Sequence, residues 1–325
     1  MIIEKRRAPI GSILLTILII CGAVAVYINR VPLLDWWALR SYQAPPAIAK
    51  LADETTMNGR GRQLFFLSKP ALQDKENFNN SCRENEQTIV LGCYIQLKGI
   101  FLLDVEDPRL DGVEQVTSAH EMLHAAYQRL DSKERARVNA LITQAYDNLQ
   151  DNRILANIKA YQNANADIAN ELHSILGTEV ANLPPDLEAY YKQYFTDRAK
   201  IVGFSDKYEA EFTSRKSKIE ADDAQLSSLE AQINANNAQL DNLQAALSTQ
   251  KEQLNALRRN GDIAGYNAGV APYNLAVKNY NTLINQTNGL IGQYRRILDE
   301  RNGLAQDLQT LTKALDSRIS TRNQL

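Results

Sequence analysis

The sequence predicts an α+β chain in three parts: an N-terminal transmembrane helix, a small domain combining a short antiparallel sheet with helices, and a C-terminal antiparallel coiled-coil hairpin. Three observations predict it. An uncharged run fills residues 8–28. Two β-rich runs between residues 88 and 104 lead into a segment with helical periodicity. From residue 212 a three-four apolar repeat continues almost to the end of the 325-residue chain.

The N-terminal run follows Lys5-Arg6-Arg7. As a helix it would be about 30 Å long, the thickness of the hydrocarbon core of a bilayer. The basic residues 1–7 are expected to stay cytoplasmic, which places the rest of the chain on the extracytoplasmic side of the cell membrane, with Trp36 and Trp37 suited to the outer interface. A cleaved signal peptide is the competing reading, because Ala23-Val24-Ala25 resembles a cleavage site. Against it, the apolar run continues through Val26, Tyr27 and Ile28. Residues 29–50 read as a linker stiffened by Ala44-Pro45-Pro46.

Composition changes near residue 205, where Pro, Cys and Trp give way to Ala, Gln, Asn and Leu, so a domain at 51–204 and a tail at 205–320 are expected. A formal net charge of −2, with no cluster of Lys/Arg interleaved with aromatics, excludes nucleic acid as a partner class. Of three cysteines, Cys21 falls in the apolar run. Cys82 and Cys93 are left as a pair in an exoplasmic segment, where they can bridge if the chain folds back on itself; two independent thiols are the alternative.

Within 51–204, helix is expected up to about Leu67, followed by a loop rich in Asn and Lys. Residues 88–95 and 99–104 read as neighbouring strands, antiparallel because only Gln96-Leu97-Lys98 separates them. Such a strand can either pack as an ordinary hairpin or pair its edge with an extended peptide. After turn chemistry at residues 107–112, Val116, Ala119, Leu123, Ala126, Tyr127 and Leu130 recur with helical spacing. That spacing puts residues 120–124, His-Glu-Met-Leu-His, on a helix.

Residues four apart share a helix face, so His120 and His124 can offer two imidazoles to one metal ion while Glu121 faces its open side. The chain has three histidines, and the third is His173. A lone histidine would be read as a hydrogen-bonded core residue; a pair at this spacing with Glu between them points to metal-assisted hydrolysis.

These residues resemble the zincin metallopeptidases. The metzincin branch continues with Gly and His three and six positions after the second histidine, where this chain has Tyr127 and Leu130. The chain is more similar to the gluzincins, in which a Glu on a later helix completes the site. Asn170-Glu171 resembles the opening of that helix, which makes Glu171 the expected third ligand and Glu179 its rival; where many gluzincins carry an acidic residue four positions on, this chain has Ile175. The resemblance implies a zincin-like domain holding Zn2+ and cutting a protein or peptide substrate, with Glu121 as general base. His173 could serve as a ligand or an oxyanion donor, and Tyr161 is the tyrosine expected as oxyanion donor, with Tyr127 packed beside the motif.

In the tail, Asn260-Gly261 separates two runs in one register, so both arms are expected to fold back on a tip near 258–265. Pairing Leu257 with Tyr266 sets Asn236 against Thr287, Asp222 against Arg301 and Gly269 against Leu254. Pro272 is expected to start a helix or kink one. Nothing in the hairpin offers chemistry, so a protein partner or self-association is expected there. The whole reads as a membrane-anchored zinc endopeptidase, or alternatively as a cell-envelope coiled-coil adaptor whose metal site is silent or structural.

Overall fold

A computed structural model describes Leu15, residues 19–21, Val24 and residues 30–82, 90–163 and 167–317. Most of the expected transmembrane run thus lies outside the described residues. Among those described, no helix is long and apolar enough to cross a membrane. The chain divides into two compact units, residues 1–208 with 314–325, and residues 209–313.

The first unit is mostly helical around a three-stranded sheet. Its expected linker carries a helix of its own, Arg30–Leu39, and Pro46 opens the next one, Pro46–Glu54. Proline at the first helical position loses no hydrogen bond and presets the helical φ, so the pair starts a helix rather than spacing one. The helix expected to run up to Leu67 is broken at residues 55–58 and resumes as Gly59–Leu67, where the Asn58 side chain accepts from the amides of Arg60 and Gly61.

The sheet is mixed and not antiparallel throughout. Strand β1 (Ala71–Gln73) lies in the expected loop and runs parallel to the central strand β3 (Gly99–Leu103); β2 (Gly92–Ile95) runs antiparallel on its other side. Three residues are too few to show a period-two pattern, so β1 leaves no sequence signal. β2 starts at Gly92, so Val90 and Leu91 of the expected strand precede it, and residues 88 and 89 lie outside the described residues. Ile100 and Leu102 of β3 are buried in the core.

Next comes the motif helix, Val113–Gln128, most of whose residues are buried. Gly112 opens it at φ 114°, a left-handed conformation that suits glycine, and a Cβ there would stand 2.7 Å from the Phe204 carbonyl oxygen. The motif helix packs against β2, β3 and the glutamate helix, Ile168–Glu179, whose N-cap Asp167 accepts from the Asn170 amide. At the other end, Gly177 permits close approach of the two helices. A Cβ there would overlap Leu123 and stand 2.8 Å from Tyr191 Cε1. Gly177→Ala is therefore expected to cost about 1–3 kcal/mol by overpacking, read as a lowered denaturant midpoint. An unchanged midpoint would show that the interface yields without cost.

The second unit is a long helical hairpin formed by Arg198–Arg259, whose first residues belong to the other unit, and Ile263–Leu315. Gly261 makes the turn at φ 73°, and the Asp262 carboxylate caps the returning helix by accepting from the Gly265 amide. The register pairs Asn236 Nδ2 with Thr287 Oγ1 at 3.2 Å and sets Gly269 under Leu254, whose Cδ2 a Cβ would meet at 2.7 Å. Arg301, expected to face Asp222, instead bonds Asp223 at 2.9 Å. Asp222 is buried and takes Lys218 at 2.8 Å, an i,i+4 neighbour on its own helix. Pro272 lies inside the returning helix, at the end of the hairpin where one missing backbone bond costs least packing.

Candidate metal centre

Three side chains converge where the motif helix crosses the glutamate helix. His120 Nε2 and His124 Nε2 each lie 3.7 Å from a carboxylate oxygen of Glu171, one on Oε2 and the other on Oε1. All three ligand atoms fall within 4.8 Å of one another. Zinc bonds of roughly 2.0–2.2 Å in tetrahedral geometry put neighbouring ligand atoms on the order of 3.4 Å apart, so the His–Glu separations fit that ion, and a spread of up to 4.8 Å closes onto it by roughly 1 Å of side-chain movement. The set is also chemically suited, with two imidazoles and one carboxylate.

Burial works against the charge on Glu171, but the imidazoles of His120 and His124 beside it outweigh that and hold the carboxyl below its ordinary range. Behind the site, Ser174 stands one turn after Glu171 on the same helix, and its Oγ lies 3.3 Å from His124 Nδ1. When Nδ1 carries the proton and donates to that hydroxyl, the Nε2 lone pair points to the metal position. The sequence departs from the gluzincin pattern at Ile175; Ser174 occupies a bracing position one residue earlier. Ser174→Ala should weaken zinc binding about 10–100-fold, measured by competition with a chromophoric chelator. Equal affinity in both proteins would remove Ser174 from the site.

Glu179 also borders the cleft, but Arg153 Nη1 holds its carboxylate at 2.9 Å, and it is not part of the three-donor cluster. Tyr161 lines the cleft wall. His173 is a correction to the expectation: it is wholly buried and does not line the cleft. Its Nε2 lies 2.9 Å from the Tyr190 hydroxyl, Tyr127 and Tyr191 pack around its ring, and burial, with the charges of His124 and His120, pushes its pKa down to about 3. It points the other way from Glu171 because positions two apart on a helix diverge by about 200°. Tyr127 is packed beside the motif and donates to Asn139 Oδ1.

Glu121 and the two histidines line a cleft of about 250 Å³ whose opposite wall is β2. Among the described strands β2 pairs on one side only, with β3. Gly92 lets that strand lie on the motif helix, since a Cβ there would be 2.9 Å from Glu121 Cγ and 3.0 Å from its Oε1. A disulfide joins Cys93 of β2 to Cys82 at the end of the helix Lys75–Ser81, with Cα atoms 6.1 Å apart, and both cysteines border the cleft. Closing a loop of this size stabilises by about 3 kcal/mol in the chain-entropy account.

The chain matches no known family model, no curated protein and no solved structure. Besides Ser174, sequence reasoning missed Gly177, the tyrosines at 190 and 191 that pack on His173, and Tyr194, whose hydroxyl meets that of Tyr190. Ser174 was legible in principle as the residue one helical turn beyond Glu171; the others depend on contacts that no local pattern reports.

Proposed function

We propose that the protein is a membrane-anchored zinc-dependent endopeptidase of the gluzincin type. The observation that carries this reading is the three-donor cluster of His120, His124 and Glu171 in a cleft that also holds Glu121 and is walled by β2, which among the described strands pairs on one edge only. Three protein donors leave a fourth position for water or substrate, as in catalytic and not closed structural sites. When bound there, zinc supplies a Lewis acid that polarises a carbonyl and lowers the pKa of water toward ~7.

The chain's own residues supply the rest. Glu121 accepts the proton of the attacking water and later hands it to the leaving nitrogen. Residues of β2 offer backbone donors and acceptors to an extended substrate, and Gly92 brings that backbone close to Glu121. Tyr161, which lines the cleft, donates its hydroxyl to the developing oxyanion in this reading. Ser174 holds His124 in the tautomer that binds metal.

The alternative, an envelope adaptor with a silent site, draws on the long hairpin unit. Zinc content and peptide cleavage of the full chain in detergent separate the two readings. The peptidase reading expects one zinc per chain and cleavage lost on chelation; a chain that takes up no zinc and cuts no peptide would leave the adaptor.

A further inference from the structure

The helix Arg30–Leu39 carries an exposed apolar surface that water does not explain. Leu33 is 47 % exposed, Leu34 64 %, Trp36 61 % and Trp37 70 %. At positions i, i+1, i+3 and i+4 these side chains share one broad face, an arc of about 160° at 100° per residue, that is turned away from the core. An apolar patch of two leucines and two indoles marks an interaction site. Its occupant is indicated by the chain itself, since the patch follows directly on the uncharged run at residues 8–28. Indoles next to a hydrophobic segment suit the headgroup interface of a bilayer, and the Arg40 guanidinium, 5.7 Å from the Trp36 ring centroid, supplies a cation at the same level.

One residue of this helix turns inward. Asp35, its side chain 15 % exposed, bonds Arg129 Nη1 at 2.8 Å. Arg129 is the C-cap of the motif helix, and its neighbour Gln128 lines the cleft. A second tie lies just beyond, where Tyr42 packs on Phe66 with ring centroids 5.8 Å apart. From Arg129 back to His124 is a little over one helical turn, about 8 Å along the axis. With the length of an arginine side chain added, the metal position lies on the order of 15 Å from Asp35, which an extended chain covers in about five residues.

We propose that Leu33, Leu34, Trp36 and Trp37 sit in the headgroup layer of a lipid bilayer, and that the Asp35–Arg129 pair holds the cleft beside it to cut membrane-tethered polypeptides a few residues beyond the lipid. The substrate class rests on the peptidase reading above; the membrane seat does not. Both tryptophans of the chain are in the patch, so its intrinsic indole fluorescence reports on this surface alone.

The full chain is reconstituted into phosphatidylcholine–phosphatidylglycerol vesicles whose lipids carry bromine at graded depths. Indole emission should shift to the blue and be quenched most by bromines nearest the headgroups; unquenched emission, or strongest quenching at the bilayer centre, overturns the seat. In a second arm, a labelled peptide is tethered to the same vesicles through spacers of increasing length and compared with the free peptide. Cleavage should favour tethered peptide at least tenfold, with an optimum at short spacers. Asp35→Asn should flatten that optimum while leaving the free-peptide rate within twofold. Equal rates at every spacer length overturn the substrate class with the peptidase reading intact, whereas interfacial quenching with no cleavage of any peptide overturns both that reading and the substrate class and leaves the seat standing.

Discussion

Glu121→Gln should lower peptide hydrolysis by about 10²–10⁴-fold while the protein keeps its zinc. Gln is nearly isosteric, so the buried position on the motif helix and the contact with Gly92 of β2 are preserved. What disappears is a group able to take a proton from water and return it to the leaving nitrogen, a loss of about 3–5 kcal/mol of transition-state stabilisation. His120, His124 and Glu171 remain to hold metal. Rate constants for a quenched-fluorescent peptide, measured beside metal content by atomic absorption, test this directly. Undiminished turnover with full zinc occupancy would exclude Glu121 as the base; loss of zinc together with activity would mean that Glu121 belongs to the metal's own ligand set.

The second large effect is expected far from the metal. Arg198, 5 % exposed, starts the first arm of the hairpin and binds the C-terminal end of the glutamate helix. Its Nη1 donates to the Val180 carbonyl at 2.6 Å and its Nη2 to that of Ala181 at 2.9 Å, while Nε and Nη2 share Glu188 Oε2 at 2.9 and 2.6 Å. These bonds supply donors to carbonyls left unsatisfied where a helix ends. Arg198→Met keeps the bulk and leaves Glu188 and the carbonyls without their cation. Glu188 is one-third exposed and regains water, so the loss is that of the charge-assisted hydrogen bonds and the donors to the carbonyls, about 2–4 kcal/mol. For a unit of this size the melting temperature should fall by about 10 °C. Arg198→Lys should recover only part of it, because an ammonium cannot make the planar fork. A melting temperature within 2 °C of the parent, about the error of such a measurement, would show that Arg198 is incidental to the fold.

The parts legible in the sequence share one property: their signal is periodic and short in range. His120, Glu121 and His124 could be assigned to one helix from spacing, and Asn236 could be matched to Thr287 because two heptad runs in one register allow little choice. Strand β1 was missed because three residues carry no period. Heptad counting put Asp222 on the seam, where it is buried, but did not show that Lys218 would take it and leave Arg301 to bond the exposed Asp223 beside it. Arg198 was missed because its partners lie on two other helices.

By itself, the sequence determined the helix that presents two imidazoles and a carboxylate, and the hairpin with its turn at Asn260-Gly261, since each follows from backbone geometry over one or a few turns. The tertiary structure alone decided which later carboxylate meets those imidazoles. Gly177 lets the glutamate helix approach the motif helix, Arg153 holds Glu179 aside, and the same helix turns His173 into a tyrosine-lined core and Ser174 toward His124. That choice depends on the rotation and separation of two packed helices, which are set by contacts between residues far apart in the chain.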